Sequence, residues 1–149
     1  MFMKKLSWLL LFVPSVSNAF CFDDAGEHYN VSADLLRAIA KVESNFDPNA
    51  YHENTNQYGK VISRDYGLMQ INSSWFERLG EFSINESNIY TPCLNVMLGA
   101  WVLSSNFASH GYNWNSVGAY NAGFSKRTEN ARKIYIQKVQ RVYYSEKVK

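Results

Sequence analysis

Glu43 is the residue on which chemistry in this chain can turn, because its place in the local pattern sets an acidic group among apolar ones. It falls near the end of a segment spanning residues 32–44 whose spacing predicts a short amphipathic helix. Ser32 suits the N-cap, Val31 and Leu36 can form a hydrophobic staple across it, and Asp34 matches the positive helix end. Pro48 stops the segment soon after. At about 100° per residue, Leu35, Leu36, Ile39 and Val42 share one stripe, with Arg37, Lys41 and Ser44 on the other side. Glu43 lies inside the apolar stripe. A carboxyl there, close to the negative end of its helix, is expected to hold its proton near neutrality, as a general acid must. The alternative is a last turn that bends and releases Glu43 into water; on the helix alone that is the commoner outcome, since buried Glu is rare.

A second group of reactive types follows in Asp65-Tyr66-Gly67-Leu68-Met69-Gln70-Ile71-Asn72. Gly67 permits a close backbone approach, while Gln70 and Asn72 carry amides able to bind sugar hydroxyl and acetamido groups. Asn72 also fits as the N-cap of a helix bearing Trp75, Phe76 and Leu79. Asp65 reads as a loop residue bonding its own backbone. The polar, aperiodic stretch of residues 46–65 before this motif is expected to be a long loop.

The remaining elements are helical. Thr91-Pro92 opens a helix to about Phe107, apolar almost all round and therefore central and buried, with Gly99 expected to allow close helix packing. Asn113-Trp114 starts a shorter helix that ends at Gly123. Thr128 caps a last helix with Ala131, Ile134, Tyr135, Val139 and Val142 inward and Lys133, Lys138 and Arg141 outward. On spacing alone Tyr120 and Tyr135 are core aromatics, and a buried tyrosine needs a partner for its hydroxyl. The expected fold class is mostly α, with little or no β-sheet.

Residues 1–19 read as a secretory signal peptide: Lys4 and Lys5, then an apolar run, then small residues at Ser17 and Ala19. That run is too short for a stable membrane anchor, and Phe20 before Cys21 does not suit lipoprotein processing, so no membrane anchor is expected. Residues 20–149 then form one domain. Cys21 and Cys93, exported to an oxidising compartment, are expected to form a disulfide. His28, His52 and His110 show no ligand spacing, so no metal site is expected.

The formal net charge is +2, and removal of Lys4 and Lys5 cancels it. The charge is unevenly spread: residues 20–93 hold 11 acids and 5 bases, whereas residues 94–149 hold 2 and 8. Ordinary solvated surface explains this, and a basic tail leaning on an anionic wall polymer or partner is the sharper reading. Nucleic acid is not an expected partner of an exported chain.

Glu43-Ser44 at a helix end, Gly67-Leu68-Met69-Gln70-Ile71-Asn72, Ala119-Tyr120-Asn121-Ala122-Gly123 and Tyr135 in the last helix, in that order, resemble the soluble lytic transglycosylase catalytic domain. The small, signal-bearing form resembles the specialised enzymes that accompany type III and type IV secretion, conjugation and pilus systems. The resemblance implies a lysozyme-like α fold, a monomer, no cofactor and a periplasmic location. The implied reaction is non-hydrolytic cleavage of the β-1,4 bond between N-acetylmuramic acid and N-acetylglucosamine in peptidoglycan. Glu43 would be the sole acid and base, with the substrate's own N-acetyl group stabilising the positive centre. Ser44, Gln70 and Asn72 would hold substrate, Tyr120 and Asn121 would line the cleft, and Tyr135 would hydrogen-bond Glu43.

The run through Asp65 to Asn72 also resembles animal-type lysozymes, in which the Asp before Tyr-Gly is a second catalytic carboxylate. A hydrolytic muramidase using Glu43 and Asp65 is therefore an alternative. Against it stand the presence of only two cysteines and the Ala119 to Gly123 motif. A non-catalytic wall-binding or assembly scaffold is a third reading.

Overall fold

A computed structural model describes residues 20–146; the expected signal peptide, residues 1–19, lies outside the described residues. The described residues open with a helix the spacing did not announce, α1 (Phe22–Tyr29), bracketed by Cys21 and Asn30, both in the left-handed conformation. Helix α2 (Ala33–Ser44) follows as expected, with the Ser32 hydroxyl accepting from Leu35 N–H and Leu35, Leu36, Ala38, Ile39 and Ala40 buried. Its end is not frayed. Asn45 turns left-handed (φ 54°), its N–H bonding Lys41 O, while Phe46 N–H reaches back to Ala40 O. This paired closure holds the last turn, and Glu43 with it, in helical geometry.

Residues 46–65 are not the long loop that their composition suggests. They contain a hairpin of β1 (Tyr51–Thr55) and β2 (Val61–Tyr66), and β3 (Ile71–Asn72) completes an antiparallel sheet in the order β1-β2-β3. The turn signal is present: the Asn56 Oδ1 accepts from Tyr58 and Lys60 N–H, and Gly59 takes φ +75°. Burial alternates along β2 only, and Asn54, Ser63 and Asp65 occupy the sheltered positions. Those positions line a polar cleft instead of the core, so the usual apolar period-2 signal is missing.

A short helix, α3 (Phe76–Gly80), precedes the central helix α4 (Pro92–His110), which runs three residues beyond its expected end with Val96, Leu98, Ala100, Val102 and Leu103 buried. Gly99 allows close packing, though against a loop: a Cβ there would lie 2.6 Å from the Met69 Cε. Leu36, Ile39 and Ala40 of α2, Val96 and Leu103 of α4, and Leu68 and Met69 share one core with Val139 of the last helix.

Helix α5 (Trp114–Ala122) is capped by the Asn113 side chain and ends at Gly123, as expected. The last helix, α6 (Glu129–Glu146), departs from the expectation. Ser125, not Thr128, caps the short turn Lys126–Thr128 before it, and the Thr128 hydroxyl donates back to Ser125 O. Ala131 and Ile134 are exposed; the buried stripe is Arg132, Tyr135 and Val139. Arg132 takes the inward place because the Gly123 and Ser125 carbonyls, the Thr128 hydroxyl and the Asn115 amide satisfy its guanidinium.

Cys21 and Cys93 are bonded, with their Cα atoms 5.3 Å apart, tying the start of α1 to the first turn of α4. A closure across 72 residues is worth about 4 kcal/mol in the chain-entropy account. Cys21→Ser is expected to lower the melting temperature by roughly 15 °C, with little change in intrinsic chemistry where the domain is still folded. An unchanged melting temperature under non-reducing conditions would count against that contribution. Among the described residues, no helix is long and apolar enough to cross a membrane, and no cluster has metal-binding composition.

Candidate active site

Glu43 lies half-buried where the last turn of α2 meets α6, and the Tyr135 hydroxyl donates to its Oε1 at 2.5 Å. Burial raises its pKa from 4.5 to about 7; the Tyr135 bond lowers it, the charge of Asp65 adds to the rise and Lys138 works against it. Near neutrality Glu43 is thus divided between acid and base, the condition for giving a proton and taking another back. Burial also pushes the Tyr120 and Tyr135 phenols well up, so both remain neutral donors.

The other expected site residues converge on this carboxyl, several through the backbone. Ser44 donates to Leu68 O at 2.8 Å and Tyr120 donates to Met69 O at 2.7 Å. These bonds tie α2 and α5 to the turn of residues 67–70. Gln70 sits left-handed in that turn (φ 49°), its Nε2 donating to Gly67 O and Ala50 O. Its amide nitrogen is therefore committed to structure, and its carbonyl oxygen is the group available to a ligand. Asn121 is exposed at the rim.

Asp65 is no loop residue. It stands on β2 with each carboxylate oxygen held at 2.7 Å, Oδ1 by the Asn72 amide and Oδ2 by the Asn54 amide. Asn72 serves as a cap, of the turn Ser73–Trp75 through Ser74 N–H, while its amide nitrogen, expected to meet sugar groups, is held on Asp65.

Two cavities, of about 870 and 420 Å³, share Glu43, Asn54, Asp65, Gln70 and Asn121. One continues past Lys41, Asp47, Asn49 and His52; the other reaches Ser63, Ser74, Trp75 and Tyr120. Together they make one polar trough over Glu43, rich in amides and hydroxyls. A third cavity, of about 280 Å³, shares Glu43 and Asn121 and opens toward α6.

Two site-building residues were not singled out from the sequence. Asn54 lay in a stretch without usable periodicity. Asn95, fully buried, accepts from Met69 N–H at 2.7 Å and donates to Tyr66 O and Ile89 O, each at 2.9 Å. The available signal was an amide set in the apolar first half of the helix, between Leu94 and Val96.

Replacing Tyr135 by Phe removes the donor that favours the charged form of Glu43, so its pKa must rise further above 7. The alkaline limb of kcat/KM is expected to move to higher pH, with the maximal rate down about tenfold. A pH–rate profile with its limb in place would show that Tyr135 does not set the acidity of Glu43.

Residues 20–142 match the family model described as Transglycosylase SLT domain. Protein IpgF of Shigella flexneri is 40% identical over 136 residues, covering 91% of this chain and 86% of the relative. Invasion protein IagB of Salmonella typhimurium (strain LT2) is 39% identical over 135 residues, 89% of this chain and 79% of the relative. Among solved structures, an inactive mutant of the lytic transglycosylase Slt from Pseudomonas aeruginosa superposes with a TM-score of 0.61 at 20% identity. The match covers 91% of this chain but 25% of that one, so this chain spans about a quarter of Slt and the likeness is one of fold. By its family match and its relatives, the chain belongs to the transglycosylase SLT domain family and is a lytic transglycosylase.

Proposed function

We propose that this protein cleaves the β-1,4 bond between N-acetylmuramic acid and N-acetylglucosamine without water, with Glu43 as both acid and base. The observation that carries this reading is one carboxyl poised at a pKa of about 7, bonded to Tyr135, on the floor of a polar trough. In the first half, protonated Glu43 gives its proton to the glycosidic oxygen as the bond to the muramic C1 breaks and its electron pair passes to the leaving oxygen. In the second, the Glu43 carboxylate takes the proton of the muramic 6-hydroxyl while that oxygen bonds C1. The product is a 1,6-anhydro end, no water is consumed and Glu43 is again protonated.

Tyr135 would hold the carboxyl in line. Gln70, through its carbonyl, and Asn121 would bind sugar groups, while Ser44, Asn72 and Tyr120 would act chiefly by fixing the walls that face the strand. Residues 1–19 would direct export to the periplasm and residues 20–149 would form the catalytic domain. There it would open local gaps in the wall for a secretion, conjugation or pilus machine, a role in keeping with the printed name of the relative IagB, an invasion protein.

One observation favours a second reading. Asp65 shares both halves of the trough with Glu43, and two amides hold its oxygens. A carboxylate so placed suits a retaining hydrolase, in which a second acid meets the sugar and water finishes the reaction. Mass spectrometry of purified peptidoglycan digested by the mature protein separates the two. Anhydro-muramic products support the transglycosylase; products heavier by one water support the hydrolase; strand binding without products supports a scaffold.

A further inference from the structure

Aromatic rings gather at a second place in the fold, away from Glu43. The last turns of α6 carry Tyr143 and Tyr144, and both rings meet Trp114, at the start of α5, edge-on or tilted, with centroids 5.8 and 6.1 Å away. Tyr112, in the link between α4 and α5, stacks on Phe107 at 4.0 Å. These five rings and the first turn of α2, at Ser32 and Leu35, line a cavity of about 270 Å³. Edge-on meetings leave more ring face uncovered than stacking does. Tyr112 and Tyr144 are 64% and 51% exposed, so the cavity is open to solvent. It shares no lining residue with the trough, and from Leu35 to Glu43 is about 12 Å along α2.

None of the lining residues is charged. The cavity therefore offers no counter-charge to a phosphate, a metal ion or an acidic peptide. A neutral ligand with one apolar face and a hydroxyl or amide edge suits it: aromatic faces cover the C–H side of a sugar ring, and hydroxyls meet its polar edge. Those hydroxyls are at hand in the tyrosines and in Ser32, whose oxygen accepts from Leu35 N–H and keeps its own proton to donate. Of the two sugars in the proposed substrate, muramic acid bears an anionic branch, whereas N-acetylglucosamine is neutral and compact. We infer that this cavity is a second glycan-binding site, taking an N-acetylglucosamine unit and holding the polymer at a point separate from the bond being cut. The inference rests on the peptidoglycan reading given above. A polymer gripped at two points leaves only when both let go, so the site raises affinity for long strands and does nothing for short fragments.

Two indoles report on the two places separately, since Trp114 lines this cavity and Trp75 lines the trough. The probe is N-acetylchitotriose, titrated into Glu43→Gln and followed by the indole N–H resonances. That of Trp114 is expected to shift and to saturate with a Kd of about 1 mM. Adding Tyr112→Ala and Tyr144→Ala should abolish this shift and leave that of Trp75 in place, with thermal melts verifying the fold. In the otherwise wild-type protein the same pair should raise KM for long strands about fivefold, the ratio of a millimolar effective concentration to that Kd, with kcat/KM on short soluble fragments unchanged. A Trp114 resonance that stays still while Trp75 responds would overturn the second site alone. So would a shift that survives both alanines, one that follows protein concentration without sugar, as docking of a second copy would give, or an equal loss on long strands and short fragments. Stillness of both indoles would overturn the site together with the substrate reading, whereas a response at Trp114 without one at Trp75 would uphold the site and count against the trough.

Discussion

Glu43→Gln is expected to reduce release of muropeptides from purified peptidoglycan by at least about a thousandfold, with the fold and strand binding retained. The amide is nearly isosteric with the protonated acid and its oxygen can still accept from Tyr135, so the geometry of the site survives. What disappears is the proton. In the proposed reaction one group serves both halves, so its loss forfeits acid and base catalysis together. The same substitution makes a prediction about stability. The folded-state pKa of Glu43 is about 7 against an ordinary 4.5, so between these values the folded protein binds more protons than the unfolded chain. The wild type therefore loses stability as pH rises through that window, because a carboxylate must be kept in a desolvated place. Glu43→Gln escapes this cost. It should melt above the wild type at pH 8, with the gap closing below pH 4.5. Activity within tenfold of wild type would remove Glu43 from the chemistry, and identical melting at pH 8 would mean that its carboxyl is not desolvated.

What the sequence disclosed about this site follows from how each part is encoded. Helix α2 was legible because its cap, its stripe and the intrusion of Glu43 into that stripe all lie within 12 residues. The helix from Trp114 was legible for the same reason, carrying its own cap and stop, whereas the helix from Pro92 showed its start through the proline and its body through its apolar run, but not its end. The hairpin was not, since its inward face serves a polar cleft and its alternation is of Asn, Ser and Asp instead of Val and Ile. The face of α6 was misassigned because pattern reading ranks Ile134 above Arg132 for burial. Tertiary contacts reverse that order by offering the guanidinium four oxygen partners. Asp65 reads as a loop residue for the same cause as the hairpin, and its two amide clamps, Asn54 and Asn72, come from the strands on either side, a juxtaposition that only the sheet register creates.

Asn95→Leu is expected to be the most destabilising single change near the site, lowering the unfolding free energy by roughly 4 kcal/mol or more. The side chain is fully buried in the first turns of α4, and three backbone groups depend on it: Met69 N–H, Tyr66 O and Ile89 O. Leucine fills similar space but orphans all three, each at a cost of about 1–3 kcal/mol. Close packing leaves little room for water to replace the amide. A Cβ on Gly67 would lie 2.5 Å from the Asn95 Nδ2, so the turn of residues 67–70 is pressed directly onto this residue. Function should fall beyond the loss of folded protein, because the same turn accepts Ser44 at Leu68 O and Tyr120 at Met69 O. Loosening it moves two walls of the trough relative to Glu43, and a displacement of about 1 Å at a catalytic group can cost a hundredfold in rate. Denaturant unfolding measures the first effect, and turnover at a temperature where the variant remains folded measures the second. A loss below about 1 kcal/mol would mean that the freed groups find other partners. Full turnover in a destabilised variant would mean that the turn does not position the site.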